Sequence, residues 1–321
     1  MSSIESFIYP DLKRVGFLLI KRLEVINANA LSSPLTYGFP AITAFTGAVH
    51  ALSRKINRSE ALADIFLDGV LIAAHSCQPQ TYREYFNKPF TFIQSRHPVE
   101  KTGDTAPIIQ EGYCHLTVSL LIGVYAEKSD DDSCSVSEEQ IEALKKQLFI
   151  AIQQHPLAGG NVIGLDALEP IQFYKDDVDQ CVSELLPAFV LIDAHKELTA
   201  ITQELQKDNP AATALDALIE TASLHHIPSD EQENNWEIYS VKKGRGWLVP
   251  IPIGYQGISP QYDAGVMKNA RNPNYPSQYV EALYSLGKWI FPYSIDSIDD
   301  AMWYQKYDAE KDLYLVTHLK K

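Results

Sequence analysis

VINANALSSPLTYGFPAITAFTGAVHAL, residues 25–52, begins as a buried strand and ends as an amphipathic helix. Its hydrophobic period switches from two to 3.6, the mark of a βα unit. Residues 16–27 read as the strand. Phe45, Ala48, Val49, Leu52 and Ile56 form one apolar face of a helix over 43–57, with Thr43 as its N-cap. The connection holds Asn27, Asn29, Ser32, Ser33 and Thr36, two prolines, and the aromatics Tyr37 and Phe39. Ordinary connections take roughly two to six residues. This one is about twice that, which points to a loop that holds something.

Working outward, FLDGVLIAAHS (66–76) and GYCHLTVSLLIGVYA (112–126) read as strands. In the second, His115, Thr117 and Ser119 alternate with apolar residues, which predicts a partly polar face. Between them, 77–110 is loop-rich. Glu138 and Glu139 follow Ser137 at the start of a helix over 138–153. LAGGNVIG (157–164) reads as a turn before a strand, and LLPAFVLIDAH (185–195) as a further strand. The order strand–helix–strand–strand–helix–strand predicts an α+β fold: a ferredoxin-like, RNA-recognition-motif domain over 1–195, with insertions at 77–110 and 156–184. Residues 196–321 form a C-terminal mixed helical and β extension, helical and Gly-rich. Its parts are helices within 196–224, an acidic linker at 228–235, and a basic Gly-rich stretch at 241–260. Helices near 277–289 and 296–306 and a strand DLYLVTHL follow.

The chain has 321 residues and a formal net charge of −14. An acidic body argues against broad, non-specific nucleic-acid binding and leaves room for a local basic groove or for basic partner subunits. Cys77, Cys114, Cys134 and Cys181 have no CxxC spacing, so free buried thiols in a reducing compartment are expected, with no metal. No cofactor motif is present. The N-terminus lacks a signal peptide and no apolar run is long enough to span a bilayer, so a cytoplasmic protein without a membrane partner is expected.

No GxSxG, HExxH or Walker motif occurs, and no catalytic set emerges. Three segments combine amides, hydroxyls, cations and aromatics in a way that suits RNA. The first is the loop with Asn27, Asn29, Ser32, Ser33, Thr36 and Phe39, whose side chains equally suit Asx and Ser turns. The second, 83–101, carries Arg96 and His97, and also reads as a solvated loop. The third carries Lys242, Arg245 and Tyr255, then Lys268, Asn269 and Arg271. It also reads as a Gly/Pro-rich turn region with Trp247 in the core. The alternative is a metal-independent endoribonuclease using His50, His75 or His97 as a general base. A third reading is an adaptor without RNA contact.

The loop, together with QEGYCHLTVSLLIGV (110–124), LAGGNVI (157–163), LLPAFVLI (185–192), GWLVPIPIGYQGISPQY (246–262), KNARN (268–272) and ALYSLGKWIFPY (282–293), resembles the family of the second Csy protein. These are Cas-five-type members of the RAMP superfamily in the type I-F CRISPR surveillance (Csy) complex. The blocks run in order over nearly the whole chain. The resemblance implies a non-catalytic subunit that holds the 5′ handle of the CRISPR RNA. It implies a heterodimer with the large subunit that recognises the protospacer-adjacent motif. It also implies contact with the terminal backbone subunit, and target DNA bound through the whole complex. Two features depart from related RNA-binding domains. The RNA-recognition aromatic signature is absent, and GRGWLVPIPIGYQG stands where a Gly-rich C-terminal loop is usual.

Overall fold

The computed structural model describes residues 12–96, 99–105, 108–127, 136–175, 178–228, 236–270 and 272–318. It is an α+β protein built on one large antiparallel sheet. β1 (Leu12–Asn29) leads through the loop into α1 (Ile42–Ile56), then β2 (Ile65–Pro79). Two small ladders follow, β3 (Thr81–Tyr82) with β4 (Thr91–Phe92), and β5 (Gln94–Arg96) with β6 (Ile108–Gln110). The chain continues as β7 (Tyr113–Glu127), α2 (Glu138–Gln153), β8 (Asn161–Leu165), β9 (Ile171–Tyr174), α3 (Val178–Glu184) and β10 (Phe189–Asp193). Then come α4 (His195–Asp208), α5 (Ala214–Ala222), β11 (His225–Pro228), β12 (Trp236–Tyr239), β13 (Trp247–Gly257), β14 (Val280–Ile290), β15 (Trp303–Asp308) and β16 (Leu313–His318).

β1 lies between β7 on one side and β8 with β9 on the other, and β7 pairs with β2. Across β1 and β7 every other residue points the same way. Leu18, Ile20, Leu120 and Ile122 meet α1 and α2 in the main core, whereas Leu19, Leu121 and Tyr125 build a second core under α3. β1 shifts register against β7 at three places, and at two of them Arg22 and Asn27 take positive φ, so the long strand bends there. Gly69 forms another bulge in β2 at φ +70°. A Cβ there would meet the ring of Tyr304.

From β2 the pairings run through β10, β14, β13, β16 and β15 and return to β2. Six strands thus close a circuit that draws on both sides of residue 195. α4 and α5 cover its flank, with Leu198, Ile201 and Leu218 against Leu248 and Leu286.

Several sequence expectations need correction. The strand at 185–195 forms as β10 but pairs with β2 and β14; β8 and β9 take the place beside β1. Residues 277–289 are not a helix: 280–290 is strand β14, with both Ser285 and Leu286 buried, so the polar/apolar alternation that marks a strand is missing. Residues 296–306 hold a 3-10 turn (Ile298–Ala301) and the start of β15, not a helix. Ala41, not Thr43, precedes α1, because Ile42 is buried and is drawn into the first turn. Most of the acidic segment 228–235 lies outside the described residues, but its flanks pair as β11–β12 rather than linking two units. Ser137 caps α2 as expected, in a capping box with Gln140.

Candidate nucleic-acid interface

The ends of β1 and β2 meet the start of β7, and together they carry a small polar network. Asn27 sits at φ 55°, a conformation that asparagine tolerates. Its backbone N–H donates to His115 Nδ1 (3.3 Å), and its side-chain oxygen accepts from Gln80 Nε2 (2.8 Å). Asn29 Oδ1 accepts from the Leu31 N–H (2.9 Å), an Asx turn. Ser33 Oγ accepts from the Leu35 and Thr36 N–H groups, and Thr36 Oγ1 lies 2.7 Å from both Ser32 Oγ and Ser33 Oγ. The amides and hydroxyls of the loop therefore hold the loop itself in shape.

That shape separates two clefts. The first is an apolar cavity of about 450 Å³ between the loop, the end of β2 and the start of β13. Phe39 is fixed in its wall, stacked on Phe45 (5.6 Å between ring centres) and edge-on to Trp289 (5.0 Å). Trp247 packs against Phe189 (5.4 Å) and Trp289 (6.2 Å) at its mouth. Tyr37 stands at the rim, 72% exposed and edge-on to Phe92 of β4. His75 and Cys77 are among the residues lining the β2 side.

The second cleft, also about 450 Å³, is more polar. Asn29, Ser32 and Tyr255 line it with His155, Gly159 and the first turn of α1. Among the described residues no side chain caps α1, so its N-terminal amides open on this cleft. Gly160 lets the neighbouring turn press against β1, since a Cβ there would lie 2.6 Å from Ala28 N and Ile26 O.

The fold thus brings the first segment together with Tyr255, which stacks on Tyr314 at 6.5 Å. The other residues lie apart. Arg96 is in β5, and His97 lies outside the described residues. In the same insertion Arg83 lies over the rings of Phe86 (4.9 Å) and Phe90 (5.1 Å). Lys242 belongs to the turn before β13 and donates its backbone N–H to Ser240 Oγ. Arg245 donates to Glu204 (2.5 Å) and Glu197 (3.0 Å) of α4; these carboxylates, Glu204 foremost, hold its pKa above the ordinary value. Lys268 and Asn269 lie in an exposed turn, Asn269 at φ 61°, and Arg271 is outside the described residues.

The alternative reading of the third segment, a turn region with Trp247 in the core, does not hold: Trp247 is 55% exposed at the cavity mouth. A tryptophan directly after Gly-Arg-Gly was the available signal. Phe189 and Trp289 were missed as well, because only the six-strand circuit brings them together. His75 packs its ring nitrogens against Ser119 Oγ (2.7 Å) and the Pro187 carbonyl (2.9 Å). Burial, aided by Arg22, lowers its pKa against the opposing pull of that carbonyl. Among the described residues no cluster of His, Cys, Asp and Glu could hold a metal ion, and no helix is long and apolar enough to cross a membrane.

The family model described as CRISPR-associated protein (Cas_Csy2) matches residues 18–316. This chain belongs to the Csy2 family. One relative, the CRISPR-associated protein Csy2 of Pseudomonas aeruginosa (strain UCBPP-PA14), is 34% identical over 315 residues, covering 93% of this chain and 94% of the relative. The resemblance carried by the sequence blocks, to the second Csy protein of type I-F CRISPR systems, is therefore correct.

Proposed function

We propose that this Csy2-family chain is a non-catalytic RNA-binding subunit of a type I-F CRISPR surveillance complex in the cytoplasm. It holds the 5′ handle of the CRISPR RNA, pairs with the large subunit that recognises the protospacer-adjacent motif, and abuts the terminal backbone subunit. Target DNA meets it through the assembled complex.

The observation that carries this reading is the loop over 30–41, rigidly self-bonded between an aromatic-walled cavity and a polar cleft at an uncapped helix start. An unstacked base suits the first, through Tyr37 and Trp247, and a phosphate or ribose suits the second, beside Asn29, Ser32 and Tyr255. The strand order β8–β1–β7–β2, with α1 and α2 in the same core, supports the ferredoxin-like, RNA-recognition-motif reading. Residue 195 then divides roles rather than cores: 1–195 shapes the clefts, and 196–321 closes them with Trp247, Tyr255 and Trp289. The cations Lys242, Lys268 and Arg96, and the neighbouring His97, Asn269 and Arg271, act as outlying contacts to the RNA backbone. The ribonuclease alternative is weaker, since both nitrogens of His75 are engaged by Ser119 and Pro187.

The test is titration of the chain, with and without the large subunit, with labelled handle RNA and a scrambled control at two salt concentrations. Handle preference is expected, with Tyr37→Ala and Trp247→Ala each weakening it about tenfold, the scale of one lost base stack. Equal affinity for handle and scramble, or unchanged binding by both variants, would sink the reading.

A further inference from the structure

We propose that the face formed by α5 and the β11–β12 hairpin docks a protein whose apolar groove is rimmed by lysines or arginines. The proposal rests on the reading of the chain as a subunit, and names the surface used by one protein neighbour.

α5 turns Ala217, Leu218 and Thr221 inward, while Leu215 and Ile219, one turn apart, face out. The hairpin beside it pairs only with itself among the described residues, and His225 Nε2 ties it to Glu220 Oε2 of α5 (2.7 Å). Two-stranded hairpins standing alone are marginal in water unless a face is covered. Among the described residues neither face is covered. The register puts Trp236 and Ile238 on one side, 61% and 65% exposed, and Ile227 and Tyr239 on the other, 49% and 51% exposed. Large apolar side chains clustered in this way mark an interaction surface.

Charge decides what kind of partner fits. Residues 213–240 carry Asp216, Glu220, Asp230, Glu231, Glu233 and Glu237, and no Lys or Arg. Such a segment repels phosphate, so this face does not hold the guide or the target strand. It suits a protein whose cations meet carboxylates such as Glu237 of β12 beside an apolar centre.

The test is amide hydrogen exchange on the full chain in three states: alone, with guide RNA only, and co-purified with the other protein subunits of its complex. The amides of β11 and β12 are expected to exchange at least tenfold more slowly in the third state only. The double variant Trp236→Ala/Ile238→Ala is expected to keep its melting temperature, because both side chains are exposed, and its affinity for handle RNA. It should lose at least tenfold in affinity for a protein subunit. Glu237→Lys should also weaken that binding, with the loss shrinking at high salt. Unchanged exchange in the assembled complex, or full protein affinity in the double variant, overturns the proposal; slowing by RNA alone makes this a nucleic-acid surface and overturns it too. Loss of handle preference with the hairpin still protected overturns the RNA reading and leaves this one standing.

Discussion

The phenols of Tyr125 in β7 and Tyr304 in β15 meet at 3.2 Å in the buried second core, joining residues 179 positions apart. The Arg14–Asp299 ion pair lies beside them. Burial raises the pKa of both phenols, Tyr125 to about 12. The folded state therefore favours the neutral phenol. The resulting stability is complete below the ordinary tyrosine pKa near 10 and is lost as pH rises through about 12. Melting temperature should fall across that alkaline window, and less steeply in Tyr125→Phe. At neutral pH that variant should cost about 1 kcal/mol, the net value of a typical hydrogen bond.

His318 predicts the opposite pH limit. Its ring packs edge-on against Trp303 at 4.2 Å, and its Nε2 accepts from the Asp193 N–H at 3.3 Å, which requires that nitrogen to be unprotonated. Burial lowers its pKa to about 4, against a raising contact from the Asp300 backbone. The stability tied to the neutral ring is present above the ordinary histidine value of about 6.5 and is lost as pH falls through about 4. Thermal melts from pH 7 to 4 should show this loss, and His318→Gln should flatten it. Equal slopes for the two proteins would exclude His318 as the titrating group.

Arg245 separates charge from contact. Its guanidinium is committed to Glu197 and Glu204, so Arg245→Ala should loosen α4 by up to about 1 kcal/mol, the scale of partly exposed ion pairs. Handle affinity should stay within twofold of the wild type. A tenfold fall in affinity without a change in melting temperature would show that the side chain leaves α4 to reach RNA.

Cys77 offers a chemical probe of the cavity. Its thiol lines that cavity, lies 3.4 Å from the Gly38 carbonyl, and has its pKa lowered by a hydrogen bond from Cys114. Thiolate character controls alkylation. Iodoacetamide should label Cys77 ahead of the buried Cys114 and Cys181, as read by peptide mass mapping. The adduct should weaken handle binding, and Cys77→Ser should remove that sensitivity. Labelled protein that binds the handle normally would place the RNA elsewhere.

Local sequence was a good guide where one element faces one environment. The stripe from Phe45 to Ile56 gave α1, and Ser137 with Glu138 and Glu139 marked the start of α2. It misled where a strand is covered on both faces. Val280, Leu283, Tyr284 and Gly287 mimic helical spacing, yet they lie on a strand between β10 and β13. That β8 and β9, not β10, lie beside β1 could not be read from the sequence, because pairing partners far apart leave no local trace. The site was legible in part for the same reason. The Asn- and Ser-rich loop announces itself, whereas the aromatic wall of Phe189, Trp247 and Trp289 exists only once three distant strands meet.

The shared strand β2 also sets an order of events during synthesis. Its outer edge is satisfied by Phe189 and Val190 of β10 and by Trp303 of β15, and the buried indole of Trp303 donates to the Leu191 carbonyl at 2.8 Å. Until the last strands leave the ribosome, part of that edge stays open, the kind of edge along which nascent chains stick to one another. Closure of the β2 edge therefore waits for Trp303 of β15. Ribosome-bound intermediates stopped before residue 303 should be the species that chaperones engage.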